Sequence, residues 1–373
     1  MTREDLEDTP TQTVQFAAQR PADYDPFTRG PFPVGVRTLQ ASDAVRNRTF
    51  PCEVWYPAAE QHAGQDIAPP TQDTFDVPGD DAPRRQAAVR DAAPRPGVYP
   101  LVVFSHGSAR GARRMATYLC THLSSHGYLV AALDHFELVA TELARREGET
   151  EEQRAARAAA WIANRVPDVR LLLDQMLATP TWAAEARPDP TRVGIVGYSF
   201  GGWTALAATE VERRIRAVVA LAPGGSSRPK PGIMPAQLTF NWGRDVPTLY
   251  LVAEQDTMTP LAGMHELYAR TPATRQMFVL RRADHLHFLD NVEQEHEAAR
   301  AMPWAGALAW IPHEMRPAAE LCPGAQAHLF TRALTLAHLD ATLRGDERAR
   351  RFLLHAAAAE LAQRGVEVIQ HRT

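Results

Sequence analysis

The apolar run Val193-Gly194-Ile195-Val196 passes directly into Gly197-Tyr198-Ser199-Phe200-Gly201-Gly202 and then into the helix-favouring Trp203-Thr204-Ala205-Leu206-Ala207-Ala208. This order predicts a buried strand, a sharp turn and a helix, with Ser199 at the apex. A serine placed there takes up a strained backbone conformation that projects its hydroxyl from the end of a sheet. Glycines on either side let neighbouring backbone come close where a Cβ would clash. The segment therefore asks for a sheet with helices packed on it.

Other segments repeat that alternation. Leu101-Val102-Val103-Phe104 and Tyr128-Leu129-Val130-Ala131-Ala132-Leu133 are short continuous apolar runs, as expected of strands buried on both faces. Between them a helix is expected from about Arg113 to Ser125, closed by Gly127. A second is expected around Val166 to Leu177, ahead of the Ser199 strand. Further strands are expected at Ala217–Leu221, Thr248–Val252 and Gln276–Leu280, and the chain after about Val292 reads as mainly helical. Strands spaced by helices imply right-handed crossovers and an α/β fold with a mostly parallel central sheet flanked by helices. Upstream, Val34–Leu39 and Thr49–Tyr56 read as an antiparallel pair joined through Ala41-Ser42-Asp43. Residues 1–30 read as an N-terminal arm, 31–373 as one domain, and 58–98, rich in Pro, Asp, Gln and Ala, as a surface excursion ordered only in part.

Composition removes several classes. A net charge of −4, with no basic stripe carrying interleaved aromatics, argues against a nucleic-acid partner. The polar start Met1–Asp8 lacks the apolar centre of a signal peptide, and no apolar run is long enough to span a bilayer. Cys52, Cys120 and Cys322 are odd in number and far apart, which suits reduced structural residues in a cytoplasmic protein.

In parallel sheets the functional groups gather beyond the carboxyl ends of the strands. Beyond the Ser199 strand comes the serine itself. Asp256 follows the strand ending at Val252, and His285 follows the one ending at Leu280. Serine needs a base to take its proton as it attacks, and the base needs a carboxylate to fix its tautomer. Ser199, His285 and Asp256 are the candidates, with Glu254 or Asp284 as the rival acid and His287 as the rival base. The His-x-His pair has no third ligand in view, and serine chemistry needs no metal or cofactor. Two N–H groups are needed to bind the oxyanion. Phe200, after the nucleophile, is one candidate, and Ser108, in the small-residue loop Ser105–Gly111, is the other. His106, His135 and Tyr198 are placed as candidate walls of the substrate site.

Taken together these residues resemble the α/β-hydrolase superfamily. The closer likeness is to the branch of platelet-activating factor acetylhydrolases and predicted dienelactone hydrolases. The motifs that carry it are Pro100–Gly107, Ser125–Ala132, Gly197–Gly202 and His285–Asp290, with Val34–Arg37 and Val54–Pro57 upstream. The resemblance implies the α/β-hydrolase fold, and its His-x-x-Phe-x-Asp spacing favours His285 over His287. Dienelactone hydrolases proper use a cysteine nucleophile where this chain has Ser199. The animal acetylhydrolases carry their acid just after the strand that follows the nucleophile helix. Here that place reads Leu221-Ala222-Pro223-Gly224, so the acid falls to Asp256.

Two segments, 137–165 and 298–324, are expected to form cap or lid elements. The second carries Trp304 and Trp310, placed as candidates for an apolar acyl pocket. The expected activity is hydrolysis of short to medium carboxylic esters, with a small-molecule ester or lipid as substrate. Acetylhydrolase-like phospholipase or lipase activity, and a non-catalytic binding protein on the same fold, are the alternatives.

Overall fold

The computed structural model describes residues 24–108, 112–135, 146–178, 185–226, 236–304 and 308–372. A ten-stranded sheet runs through it in the order β12-β11-β10-β9-β8-β6-β7-β2-β1-β5. The strands are β1 (Val34–Asp43), β2 (Arg48–Pro57), β5 (Val89–Arg90), β6 (Gly97–Ser105), β7 (Leu129–Leu133) and β8 (Ala186–Tyr198). They continue as β9 (Ile215–Leu221), β10 (Thr248–Ala253), β11 (Arg275–Leu280) and β12 (Val368–Arg372). From β7 across to β11 every pairing is parallel, while β1–β2, β2–β7 and β11–β12 are antiparallel. A separate small ribbon pairs β3 (Asp73–Phe75) with β4 (Arg84–Gln86).

Alternate residues of each central strand feed two cores. On β6, Val102 and Phe104 join the core that holds Leu119 and Leu123 of α1 (Thr117–Ser125) and Leu334 and Leu339 of α6 (Gly324–Leu343). Leu101 and Val103 face the other way, onto Leu172 of α2 (Glu151–Ala178), Leu206 of α3 (Phe200–Val211) and Leu267 of α4 (Leu261–Arg270). A strand covered on both faces reads as a continuous apolar run, which is why these strands are legible in sequence. A further helix, α5 (Val292–Ala301), follows the His285 loop, and a helical stretch over residues 347–363 adds Phe352, Leu353 and Leu361 to the first core.

The chain leaves β6 for β7 on one side and returns through α2 to β8 on the other, so β6 and β8 are neighbours whose connections diverge. Such a point opens a crevice beyond the strand ends. The loops after β6 and β8 face each other across it.

Five features depart from the sequence reading. The β1–β2 turn falls at residues 44–47, because β1 runs on through Asp43 and Asn47 supplies the positive φ of 47°. Residues 58–98 are held by the β3–β4 ribbon, by β5 and by charge pairs: Asp66 binds Arg29 and the Val34 N–H, Arg84 binds Glu295, and Arg90 joins Asp73 to Glu53. The helix before the Ser199 strand begins at Glu151, well upstream of the expected start, with Pro167 inside it. The edge strand β12 lies in the stretch read as helical. Residues 24–30 pack on the body, through Tyr24 to Asp340 at 2.9 Å and the Gly30 N–H to Ser125 Oγ at 3.0 Å. Residues 1–23 of the expected arm, 137–145 of the first cap segment and 305–307 of the second lie outside the described residues.

Candidate active site

Ser199 stands between β8 and α3 with φ 55° and ψ −117°, a conformation that side chains other than glycine's rarely adopt. Its backbone is pinned from both sides. The Ser199 N–H donates to the Leu221 carbonyl at 2.8 Å, and its own carbonyl accepts from Gly224 at 2.9 Å. A Cβ on Gly197 would overlap the Gly201 carbonyl, and one on Gly201 would overlap the Ser105 carbonyl. Those two glycines let the turn close against β6.

His285 opens a short turn after β11. Its Nε2 lies 2.9 Å from Ser199 Oγ and its Nδ1 lies 2.9 Å from Asp256 Oδ2. Asp256, after β10, is fixed by the Met258 and Thr259 N–H groups on Oδ1 at 2.9 and 2.6 Å and by the Thr259 hydroxyl on Oδ2 at 2.9 Å. A hydroxyl, an imidazole and a carboxylate bonded in this order can pass the serine proton to the ring as the oxygen attacks an electrophile.

The rival residues are engaged elsewhere. Asp284 accepts from the Thr257 N–H and hydroxyl and from the His285 N–H, so it caps the turn rather than meeting the ring. Burial, then the charge of Asp256, raises its carboxyl above the usual range. Glu254 accepts from the Arg282 N–H. The His287 ring bonds the Cys322 carbonyl and the Asp284 N–H, and burial pushes it down to about 4. Among the described residues no three His, Cys, Asp or Glu side chains converge to hold a metal ion.

On the oxyanion side, Phe200 is the first residue of α3. The loop after β6 comes up against the elbow, where a Cβ on Gly107 would lie 3.2 Å from Ser199 Cβ. Ser108 follows at once, and its Oγ is buried with no hydrogen-bond partner among the described residues.

Three expected wall residues are corrected. His106 and His135 are 0% and 2% exposed and bonded inside the protein, the His106 ring to the Gly107 carbonyl and the His135 N–H, and the His135 ring to Asp168 and Ser105. Tyr198 is also buried, and its hydroxyl donates to the His285 carbonyl at 3.1 Å, steadying the histidine turn. Trp304 and Trp310 are half-buried and gather with Met258, Leu286 and Leu308 around Ile311 and Met315. Met258 and Leu286 flank Asp256 and His285 in sequence, so this apolar group adjoins the site.

Two functional-looking residues escaped the sequence reading. Arg165 and Asp168, on α2, are fully buried behind the oxyanion-side loop. Arg165 donates to the His106 and Gly107 carbonyls at 2.6 and 3.2 Å. Asp168 accepts from Arg46, Arg48 and His135 at 2.7, 3.0 and 3.0 Å. Burial raises the Asp168 carboxyl to about 6 against the pull of Arg48 and Arg46. In sequence both look like ordinary charges on a polar helix.

Comparison with known proteins agrees with this architecture. A ferulic acid esterase from Streptomyces cinnamoneus superposes with a TM-score of 0.58 and 26% identity, over 84% of this chain and 91% of that one. The cutinase est1 of Thermobifida alba is 24% identical over 236 residues, 62% of this chain and 68% of its own length. The platelet-activating factor acetylhydrolase of Cavia porcellus is 26% identical over 155 residues, 34% of this chain and 35% of its own. The dienelactone hydrolase family matches residues 87–315, more than half of the chain and the stretch that contains both the elbow and the histidine turn. The fold is that of the α/β hydrolases, and the chain belongs to the dienelactone hydrolase family.

Proposed function

We propose that the chain is a serine hydrolase of carboxylic esters that works through an acyl-enzyme. The observation that carries this reading is the unbroken bond chain Asp256–His285–Ser199, ending on a strained serine in a crevice beyond the strand ends. Ser199 Oγ attacks the ester carbonyl while His285 Nε2 takes its proton. The tetrahedral oxyanion is held by the N–H groups of Phe200 and Ser108. Collapse expels the alcohol, which receives the proton from His285, and leaves an acyl ester on Ser199. Water, activated by the same ring, then releases the carboxylic acid. Asp256 keeps Nδ1 protonated and stabilises the imidazolium.

The apolar group of Met258, Leu286, Trp304, Leu308 and Trp310 suits a short or medium acyl chain. Its two indole rings, with the likeness to a ferulic acid esterase, favour a ferulate-type aromatic acyl group as the second reading. The likeness to an acetylhydrolase covers a smaller share of the chain and supports a phospholipid substrate less. Cytoplasmic placement belongs to the same proposal and rests on three buried free thiols. Turnover of p-nitrophenyl acetate, butyrate, octanoate and palmitate beside methyl ferulate tests the reading. A maximum at butyrate or on ferulate separates the two acyl classes. No turnover of any, in folded protein that a fluorophosphonate fails to label at Ser199, overturns ester hydrolysis and leaves a binding role.

A further inference from the structure

Behind the loop after β6 lies a polar cluster that the Ser199 mechanism does not use. Its bonds have one consistent direction. The carboxylate of Asp168 accepts from His135 Nδ1 at 3.0 Å, and His135 Nε2 accepts from the Ser105 hydroxyl at 3.2 Å. Ser105 Oγ in turn accepts from Arg165 Nη1 at 3.4 Å. The His135 N–H donates to His106 Nε2 at 2.8 Å, which leaves His106 Nδ1 as a donor to the Gly107 carbonyl at 2.6 Å. The tautomers follow from these partners. Both rings are neutral, since burial and then Arg165 push them well below the ordinary histidine range.

The Gly107 carbonyl thus receives two donors, His106 Nδ1 and Arg165 Nη2. A trans peptide sets its C=O and N–H on opposite sides of one plane. Gripping the Gly107 carbonyl therefore turns the Ser108 N–H away from Arg165, on the segment that lies against Ser199. The preceding peptide is fixed in the same way. Arg165 Nη1 holds the His106 carbonyl, and the Gly107 N–H is taken by Met115 Sδ at 3.4 Å. The guanidinium also lies over the ring of Phe200, 4.4 Å from its centroid, so one buried cation touches both segments that carry the oxyanion donors.

We propose that Arg165 is a positioning residue for the oxyanion hole, fixed by the Asp168–His135–Ser105 chain, which aims the Ser108 N–H at the oxygen of a substrate bound to Ser199. The inference rests on the ester-hydrolysis reading. A planar guanidinium reaches two carbonyls at once, which a lysine ammonium does not. Its charge polarises the Gly107–Ser108 peptide and makes the N–H a stronger donor.

The test compares wild type with Arg165→Met and Arg165→Lys. Active sites are titrated with diethyl p-nitrophenyl phosphate, and kcat on p-nitrophenyl butyrate is expressed per titrated site. Inhibition by butylboronic acid, which mimics the tetrahedral intermediate, is measured alongside. Arg165→Met is expected to lower kcat per titrated site about 100-fold with KM changed less than about 3-fold. The boronate should weaken by about the same factor as kcat/KM. Arg165→Lys should fall between the two. A merely structural arginine would reduce the number of titrated sites and leave each one at full speed. Either variant keeping kcat per titrated site and boronate affinity within about 2-fold of wild type overturns the proposal. If Arg165→Met does not fold, Arg165→Lys carries the same decision. A wild type that is not titrated at Ser199 fails the underlying reading instead, a different and recognisable result.

Discussion

Among the described residues, two Asp–His–Ser chains are bonded in the same order. Asp256–His285–Ser199 has spacings of 2.9 and 2.9 Å, and Asp168–His135–Ser105 has spacings of 3.0 and 3.2 Å. Residue types and distances barely separate them. What differs is where each serine sits. Ser199 occupies a turn at φ 55°, partly open at the strand-end crevice, with an N–H-bearing helix start beside it. Ser105 is the last residue of β6, 1% exposed, and its hydroxyl is already spent on His135. Bond order alone therefore does not make a nucleophile. Access and a strained backbone are what set Ser199 apart.

The largest expected contrast is between the serines. Ser199→Ala should cut turnover of p-nitrophenyl butyrate by about 10⁴-fold or more, whereas Ser105→Ala should cost at most about 10-fold and keep fluorophosphonate labelling. Equal losses would erase the distinction.

Asp→Asn in each chain should then divide chemistry from stability. Asp256→Asn is expected to lower kcat about 10³- to 10⁴-fold with little change in the unfolding midpoint. Asp168→Asn leaves Arg46 and Arg48 without their buried carboxylate and should destabilise by about 3–5 kcal/mol in urea unfolding.

A smaller effect joins the two chains. Gly201→Ala places a methyl on the Ser105 carbonyl, so elbow and β6 must separate, at a cost of about 1–3 kcal/mol together with slower turnover.

The smallest effect is on acid stability. His135 is held neutral in the fold, so as pH falls the unfolded chain takes up its proton first, near pH 6.5. The stability it contributes is present above that pH and is lost below it. His135→Gln should flatten the slope of unfolding free energy against pH by up to one proton, about 1.4 kcal/mol per pH unit, between about pH 5 and 6. Asp168 works in the opposite sense. Its folded carboxyl, raised to about 6, favours the fold below about pH 4, and that contribution is lost as pH rises through 6.

The open chain was legible in sequence and the buried one was not. Ser199, Asp256 and His285 each follow a strand made conspicuous by burial on both faces, so position along the chain locates them at one edge of the sheet. His106 and His135 also follow such strands, and that position suggests wall residues. A strand end does not say how deep the next side chain lies. Arg165 and Asp168 gave less still. They are three residues apart on a helix rich in charges, and helical periodicity does not separate a buried salt bridge from a solvated one. The edge strand β12 is short and only partly covered, which leaves no continuous apolar run to read.

The ion cluster around Asp168 bears on how the protein can be divided. The stretch shared with the family opens at residue 87, yet two of the cations that neutralise Asp168, Arg46 and Arg48, lie on the hairpin before it. Glu53, on the same hairpin, is the buried acceptor for Arg90, Arg113 and Arg114 from inside that stretch. A fragment cut at the family boundary would keep Ser199, Asp256 and His285, yet leave the buried Asp168 without its two arginines and Arg90, Arg113 and Arg114 without Glu53. The charges of the hairpin are thus paired across the family boundary.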